Sequence, residues 1–421
     1  MKKVVWFLLV ILFALAIVAG TIGYFYFGVQ QSDVVCPEVT AGETQITANM
    51  YQWHLPVLNG LTYRSFEWDN TANMQTVETQ EITLPLTVPA QTATVRVSDS
   101  TGVCFEGTLE AYADYSFAKN GTYTVQILTT TPIKTEGKAE GYGTMYYGFY
   151  VNVSVKPVLA INTTSIKQGG VVAATVTGNL AQQPCTVETE LGLATFTVID
   201  GRQIAFIPIA YNREPGDWPI TVTCGELSET FTVTVIHENF AEQQMYIEQE
   251  IADSTVNSAA ASAEYRQNIW PLYDYADTQT YWSGKFIKPV EGARISTEYG
   301  LRRYVNGNTV PERHSGIDFA VALGTPVYAP NAGKVLFSGF LQLSGNTVVI
   351  EHGAGIKSFF FHMDSLSVEK GQMVKQGDEV GKVGTTGYST GPHLHYEVKI
   401  GNQSINPWDL FDGTSGIFYQ P

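Results

Sequence analysis

A chain of 421 residues, 44% hydrophobic and 15% charged, is long enough for two to four domains and too apolar to be disordered. Its formal charge of −16 excludes a partner bound through phosphates, so no nucleic acid is expected. The excess is uneven: residues 285–421 hold 12 Lys/Arg and 12 Asp/Glu, whereas the preceding part holds 12 and 28.

Lys2 and Lys3 precede an uncharged, mostly apolar run from Val4 to Val29. At ~1.5 Å per residue this run exceeds the ~30 Å hydrocarbon thickness, so residues 1–32 are expected to be a cytoplasmic stub and a transmembrane signal anchor. Tyr24 and Tyr26 suit the membrane interface, and the basic residues at the N-terminal side place 33–421 outside the cytoplasm. The alternative is a signal peptide cleaved at the weak site Val18-Ala19-Gly20, giving a secreted protein. Either reading exports the chain.

Short runs rich in Val, Thr, Tyr and Ile, separated by Gly, Asn and Pro, predict a mainly β fold. The alternation in Thr92-Ala93-Thr94-Val95-Arg96-Val97 belongs to a β-sandwich module over 33–156. The same style in Val171-Val172-Ala173-Ala174-Thr175-Val176 marks a second one over 157–237, which resembles bacterial immunoglobulin-like domains in length and rhythm. Each module carries two cysteines, read as disulfides Cys36–Cys104 and Cys185–Cys224, with four buried thiols as the alternative. The aromatic stretch Tyr142, Tyr146, Tyr147, Phe149 and Tyr150 is either the aromatic face of a core strand or a platform for sugar rings. Residues 238–284 lack β alternation: Phe240–Tyr246 and Ala259–Glu264 are helix-forming, and Pro271 leads into a Tyr/Asp/Thr-rich stretch. This reads as a helical or extended connector, either a spacer or a segment folded back over a neighbouring site.

Chemistry concentrates in 285–421. Five of the seven histidines lie between 314 and 395, in His314-Ser315-Gly316-Ile317-Asp318, Phe361-His362-Met363 and Gly391-Pro392-His393-Leu394-His395. His393 and His395 are two apart in a strand-like run, so they share one face. Zinc takes imidazole nitrogen and carboxylate oxygen, and a catalytic zinc has three protein ligands and one water. His314, Asp318 and one histidine of the pair would make that set.

These motifs resemble the lysostaphin/LytM-type zinc metallopeptidases, peptidoglycan endopeptidases. His314 and Asp318 match the family's His-x-x-x-Asp, His393 and His395 its His-x-His, and His362 its isolated catalytic histidine. The resemblance implies an antiparallel β-sheet domain with one zinc on His314, Asp318 and His395, and with His362 and His393 as catalytic groups. It also marks Arg302 as a candidate for a substrate carboxylate. His352 and Glu397 are candidates for orienting a ligand, each weighed against a purely structural role. His54 and His237 are read as structural. The function expected is a membrane-anchored, extracytoplasmic zinc metalloendopeptidase that cuts peptidoglycan stem peptides or cross-bridges. The alternative is a silent wall-binding or complex-forming scaffold with the same fold, and the sandwiches are candidates for a wall or surface ligand.

Overall fold

The computed structural model describes residues 2–89, 92–131, 140–192, 194–199 and 201–419. They form two compact units, one reaching Lys156 and including Leu180–Gln182, the other made of Pro157–Asn179 and Gln183–Pro421.

The first unit opens with the helix Lys2–Gly28, 27 residues with no buried side chain, about 40 Å long at 1.5 Å per residue. Its last turn is tied down. Arg64, on the strand Thr62–Asp69, donates to the carbonyls of Tyr26, Phe27 and Val29 at 3.3, 3.2 and 2.5 Å. Its guanidinium also lies 5.1–5.7 Å from the rings of Tyr26, Phe27 and Phe66. A cation placed there meets the orphan carbonyls and the negative end of the helix dipole.

Beyond the helix, Met50–Val57, Tyr142–Val153, Gly121–Thr131 and Thr92–Asp99 are antiparallel neighbours in the main sheet. Alternation turns Tyr147, Phe149 and Val151 into the core, all fully buried. Tyr142 stacks on His54. Of the five aromatics, Tyr147 and Phe149 are core, whereas Tyr142 and Tyr146 are half-buried and Tyr150 is exposed. The expected Cys36–Cys104 bridge is absent: both thiols are free, Cys36 half-buried against the core and Cys104 exposed on the strand Gly102–Thr108. Cys36 packs against the core of this unit and the Cys104 thiol donates to the Gly102 carbonyl at 3.8 Å, so each has surroundings other than its expected mate.

In the second unit, the sandwich pairs Val158–Ile161, Val171–Thr177, Arg202–Pro208 and Thr197–Ile199 in one sheet. The other sheet holds Ser165–Lys167, Leu227–Ile236, Gly216–Cys224 and Cys185–Glu188. Cys185 and Cys224 lie directly opposite each other and form a disulfide. Val172, Ala174 and Val176 fill the sandwich, while Val171 and Ala173 of the same strand pack against Phe286, Ile405 and Ile417 of the C-terminal domain. Ile204 and Phe206 do the same beside Ala205 and Ile207. The expected sandwich strand is therefore buried on both faces, not one, as its nearly unbroken apolar run allows. The second sandwich and the C-terminal domain thus share one core.

The connector is folded onto that domain. Glu242–Met245 is a strand, not a helix; it pairs in parallel with Arg302–Val305, and these backbone bonds override the local helix propensity. Ala259–Tyr273 is a helix, with Pro271 inside its last turn, and its Ile269 packs on Leu336, Val349 and Phe359. The C-terminal domain is one antiparallel sheet. Its order is Arg294–Thr297, Ile317–Ala320, His393–Ile400, Ile356–Leu366, Gly345–Gly353 and Gly333–Leu341, then shorter strands.

Candidate active site

Residues in register on neighbouring strands share a face. Thr297, Asp318, His395 and Phe361 form one row across four strands. Arg294, Ala320 and His393 form the next. The sheet therefore delivers one carboxylate and two imidazoles to a single patch, inside a cleft of ≈ 480 Å³. Gly316 sits under the patch, where a Cβ would meet the Tyr396 carbonyl at 2.2 Å. His314 reaches in from the loop before the Ile317–Ala320 strand, held by its backbone N–H on the Leu301 carbonyl at 2.9 Å.

His314 Nε2, Asp318 Oδ1 and His395 Nδ1 stand at the corners of a triangle with all three edges 2.9 Å. All three side chains are buried. His314 donates its Nδ1–H to the Glu298 carbonyl at 3.0 Å, so its Nε2 presents a lone pair. Burial pushes the His314 pKa down to about 4, keeping that ring neutral. Burial alone would raise Asp318, but His314 and His395 outweigh it and hold the carboxyl well below the usual range. Two acceptors thus face each other, with at most one proton available from His395. The donor set is short of a cation. Zinc, with bonds of ~2.0–2.1 Å and tetrahedral ligand spacings of roughly 3.3 Å, fits after a small outward shift.

His362 belongs here for an unusual reason. Strict alternation after Phe361 would send it to the opposite face, among the core residues around Phe360. Its φ of 62° instead puts the backbone in the left-handed region, at a register shift of the strand, a conformation costing roughly 1–3 kcal/mol. The ring then lies 4.9 Å from that of His393 and 6.2 Å from that of His395. Its Nδ1–H is held by the Thr386 carbonyl at 2.8 Å, leaving Nε2 with a free lone pair. Burial, reinforced by His393 and His395, pushes its pKa down to about 3. His393 is held in the same way, Nδ1–H on the Gly391 carbonyl at 2.8 Å, and its Nε2 lies 3.8 Å from Asp318 Oδ1.

Other candidates fall elsewhere. Arg302 does not line the cleft; its guanidinium pairs with Glu242 at 2.5 Å. Its neighbour Arg303 is the residue at the site, bonded to Asp318 Oδ2. Adjacent strand residues point to opposite sides, and a pair of arginines does not reveal which one faces inward. Glu397 makes no hydrogen bond to a histidine; its carboxylate is taken by Lys399 at 2.6 Å and by Ser404. His352 is bound to the Ala332 carbonyl and the Ser358 hydroxyl, both at 2.8 Å, and likewise touches none of the three clustered residues. What holds His395 is Phe361, stacked at 5.3 Å with an interplanar angle of 5°. The connector supplies Gln243, Met245, Ile247 and Tyr265 to the cleft wall, a contribution with no motif to announce it.

Residues 312–407 match peptidase family M23. Among curated relatives, 121 residues are 41% identical to the DD-carboxypeptidase/endopeptidase Mpg of Neisseria meningitidis, covering 29% of this chain and 28% of that protein. Peptidoglycan DD-endopeptidase ShyB of Vibrio cholerae is 43% identical over 122 residues, again 28% of each. The matches thus span just over a quarter of the length of these relatives. Among solved structures, a peptidase M23 from Pseudomonas aeruginosa is 27% identical, covering 60% of this chain and 96% of its own, with a TM-score of 0.43. The lysostaphin catalytic domain of Staphylococcus simulans is 29% identical, covering 28% of this chain and 92% of its own, with a TM-score of 0.26.

Proposed function

The chain carries a peptidase family M23 domain at its C-terminus, and from that premise we propose that it is a zinc endopeptidase that opens the D,D-peptide cross-links of peptidoglycan. The observation that carries this reading is the triangle of His314, Asp318 and His395, one cation short, with the neutral His362 beside it and the His393 ring next to that. Relatives named peptidoglycan DD-endopeptidases support the choice of bond.

The triangle residues would hold one zinc, which supplies a polarised water of lowered pKa and a Lewis acid for the scissile carbonyl. The remaining work falls to side chains. With Nδ1–H fixed on a carbonyl, His362 offers Nε2 to accept a proton from the attacking water and to return it to the leaving amine. His393, fixed in the same tautomer, shares that proton or steadies the oxyanion once protonated. No glutamate base is required.

The same proposal places the protein in the cell membrane, with residues 33–421 outside the cytoplasm. Arg64 favours a retained anchor over a cleaved leader, because cleavage before Thr21 would strip the clamped turn of most of its helix.

The decisive experiment gives the zinc-loaded full-length protein defined D,D-cross-linked and glycine-bridged muropeptides and reads the products by mass spectrometry. Release of monomers from the D,D-linked dimer is expected. An intact dimer together with cut glycine bridges moves the specificity, and no cleavage of either rejects the enzymatic reading in favour of a scaffold.

A further inference from the structure

Asp318 uses only one of its oxygens in the triangle. Oδ2 is occupied by Arg303, whose side chain is 17% exposed against 6% for the carboxylate. The arrangement fixes the plane of the carboxyl group and aims Oδ1 at the two imidazoles. What fixes Arg303 is less obvious, because the strand Arg302–Val305 lies outside the main sheet. It sits between the two-residue strand Glu312–Arg313 and the connector strand Glu242–Met245. Four of its residues pair with the connector and only two with the other side. The connector is its principal support.

One registered pair adds a side-chain tie to that support, and the next adds backbone register. Glu242 lies opposite Arg302 and closes an ion pair at 2.5 Å. This pair also offsets the like charge of Arg313, which faces Arg302 from the other strand. Gln243 lies opposite Arg303 and lines the cleft, but its buried Oε1 and the buried Nε–H of that arginine are each without a hydrogen-bond partner among the described residues, so this pair is joined through the backbone register alone.

We propose that the connector strand is a positioning element for the metal centre: Glu242 anchors Arg302, and the strand that Arg302 shares with Arg303 sets Arg303 on Asp318. The inference rests on the zinc reading above. It makes Arg303 a positioning residue, not a catalytic one, and it makes metal affinity depend on a segment that supplies no ligand. Partners that orient metal ligands typically contribute 10–100-fold to affinity.

The test is zinc affinity of the full-length protein, measured by chelator competition, with the cobalt(II) spectrum as a second readout of ligand geometry. Arg303→Ala is expected to weaken zinc 10–100-fold and to alter the cobalt bands. Arg303→Lys should recover part of the loss, since it keeps the charge but not the fork. Glu242→Ala should weaken zinc by a smaller factor, and that factor should vanish in the Arg303→Ala background, because both act along one path. Thermal melts of the zinc-free variants that match wild type separate positioning from general destabilisation. Wild-type affinity in Arg303→Ala, or an equal Glu242→Ala penalty in both backgrounds, rejects the inference. If Asp318→Ala also keeps wild-type zinc, the metal reading itself has failed.

Discussion

The strand His393–Ile400 carries two different kinds of polar site on one face, four residues apart. At one end stand His393 and His395; at the other stand Glu397 and Lys399, related by the same two-residue step. The far end is closed: Lys399 Nζ bonds Glu397 at 2.6 Å and Ser404 Oγ at 2.8 Å, and the connector's Tyr273 ring covers it at 5.5 Å. Burial opposes both charges, yet each outweighs it for the other, so Glu397 is lowered and Lys399 raised. At the histidine end burial is comparable, but acceptor faces acceptor and the cleft is open. Burial alone therefore does not mark function. The mark is a buried polar set that its own protons cannot satisfy.

This contrast can be broken by substitutions at either end. The largest effect is expected from His362→Ala and His393→Ala, which should retain zinc and lose ~10²–10⁴-fold in cross-link hydrolysis. Wild-type rates at saturating zinc in both would refute the proposed chemistry. At the other end, Lys399→Met leaves Glu397 buried and unpaired and should cost roughly 3–5 kcal/mol of stability. Turnover per folded molecule should not change, and adding Glu397→Leu should restore much of the loss; chemical denaturation followed by an activity assay reads both.

The smallest effect concerns His352, a buried histidine outside the triangle of His314, Asp318 and His395, whose pKa burial pushes down to about 4. Its unfolded value near ~6.5 means that protons favour the unfolded chain below that pH. The stabilisation is complete above pH ~6.5 and is lost as the pH falls toward 4, a change of up to roughly 3 kcal/mol. Zinc-stripped His352→Gln should show a flatter stability profile over that window than zinc-stripped wild type. Identical slopes would show that His352 titrates normally.

Much of the site was legible because strand geometry is local. The two-residue step placed His393 and His395 on one face, and it was the resemblance to a family motif that singled out His314 and Asp318 as an expected ligand pair. Register across the sheet was not legible, so the row joining Asp318, His395 and Phe361 emerges only from the fold. His362 is expected at the site only through the family resemblance; strict strand alternation would turn it to the opposite face, and a single left-handed φ brings it in. Arg302 and Arg303 differ by one position, and the alternation between them decides which meets Asp318. The fold's main surprise has a similar cause: Val171–Thr177 looks like an ordinary sandwich strand, and its second buried face needs a partner surface far along the chain.

The most direct test of the central claim compares zinc per chain, by elemental analysis, in His395→Ala and Lys399→Met of the full-length protein. Both substitutions fall on the same face of one strand, and both remove a buried polar group. The account predicts about one zinc per chain in wild type and in Lys399→Met, and almost none in His395→Ala. Zinc retained at the wild-type level in His395→Ala would contradict it.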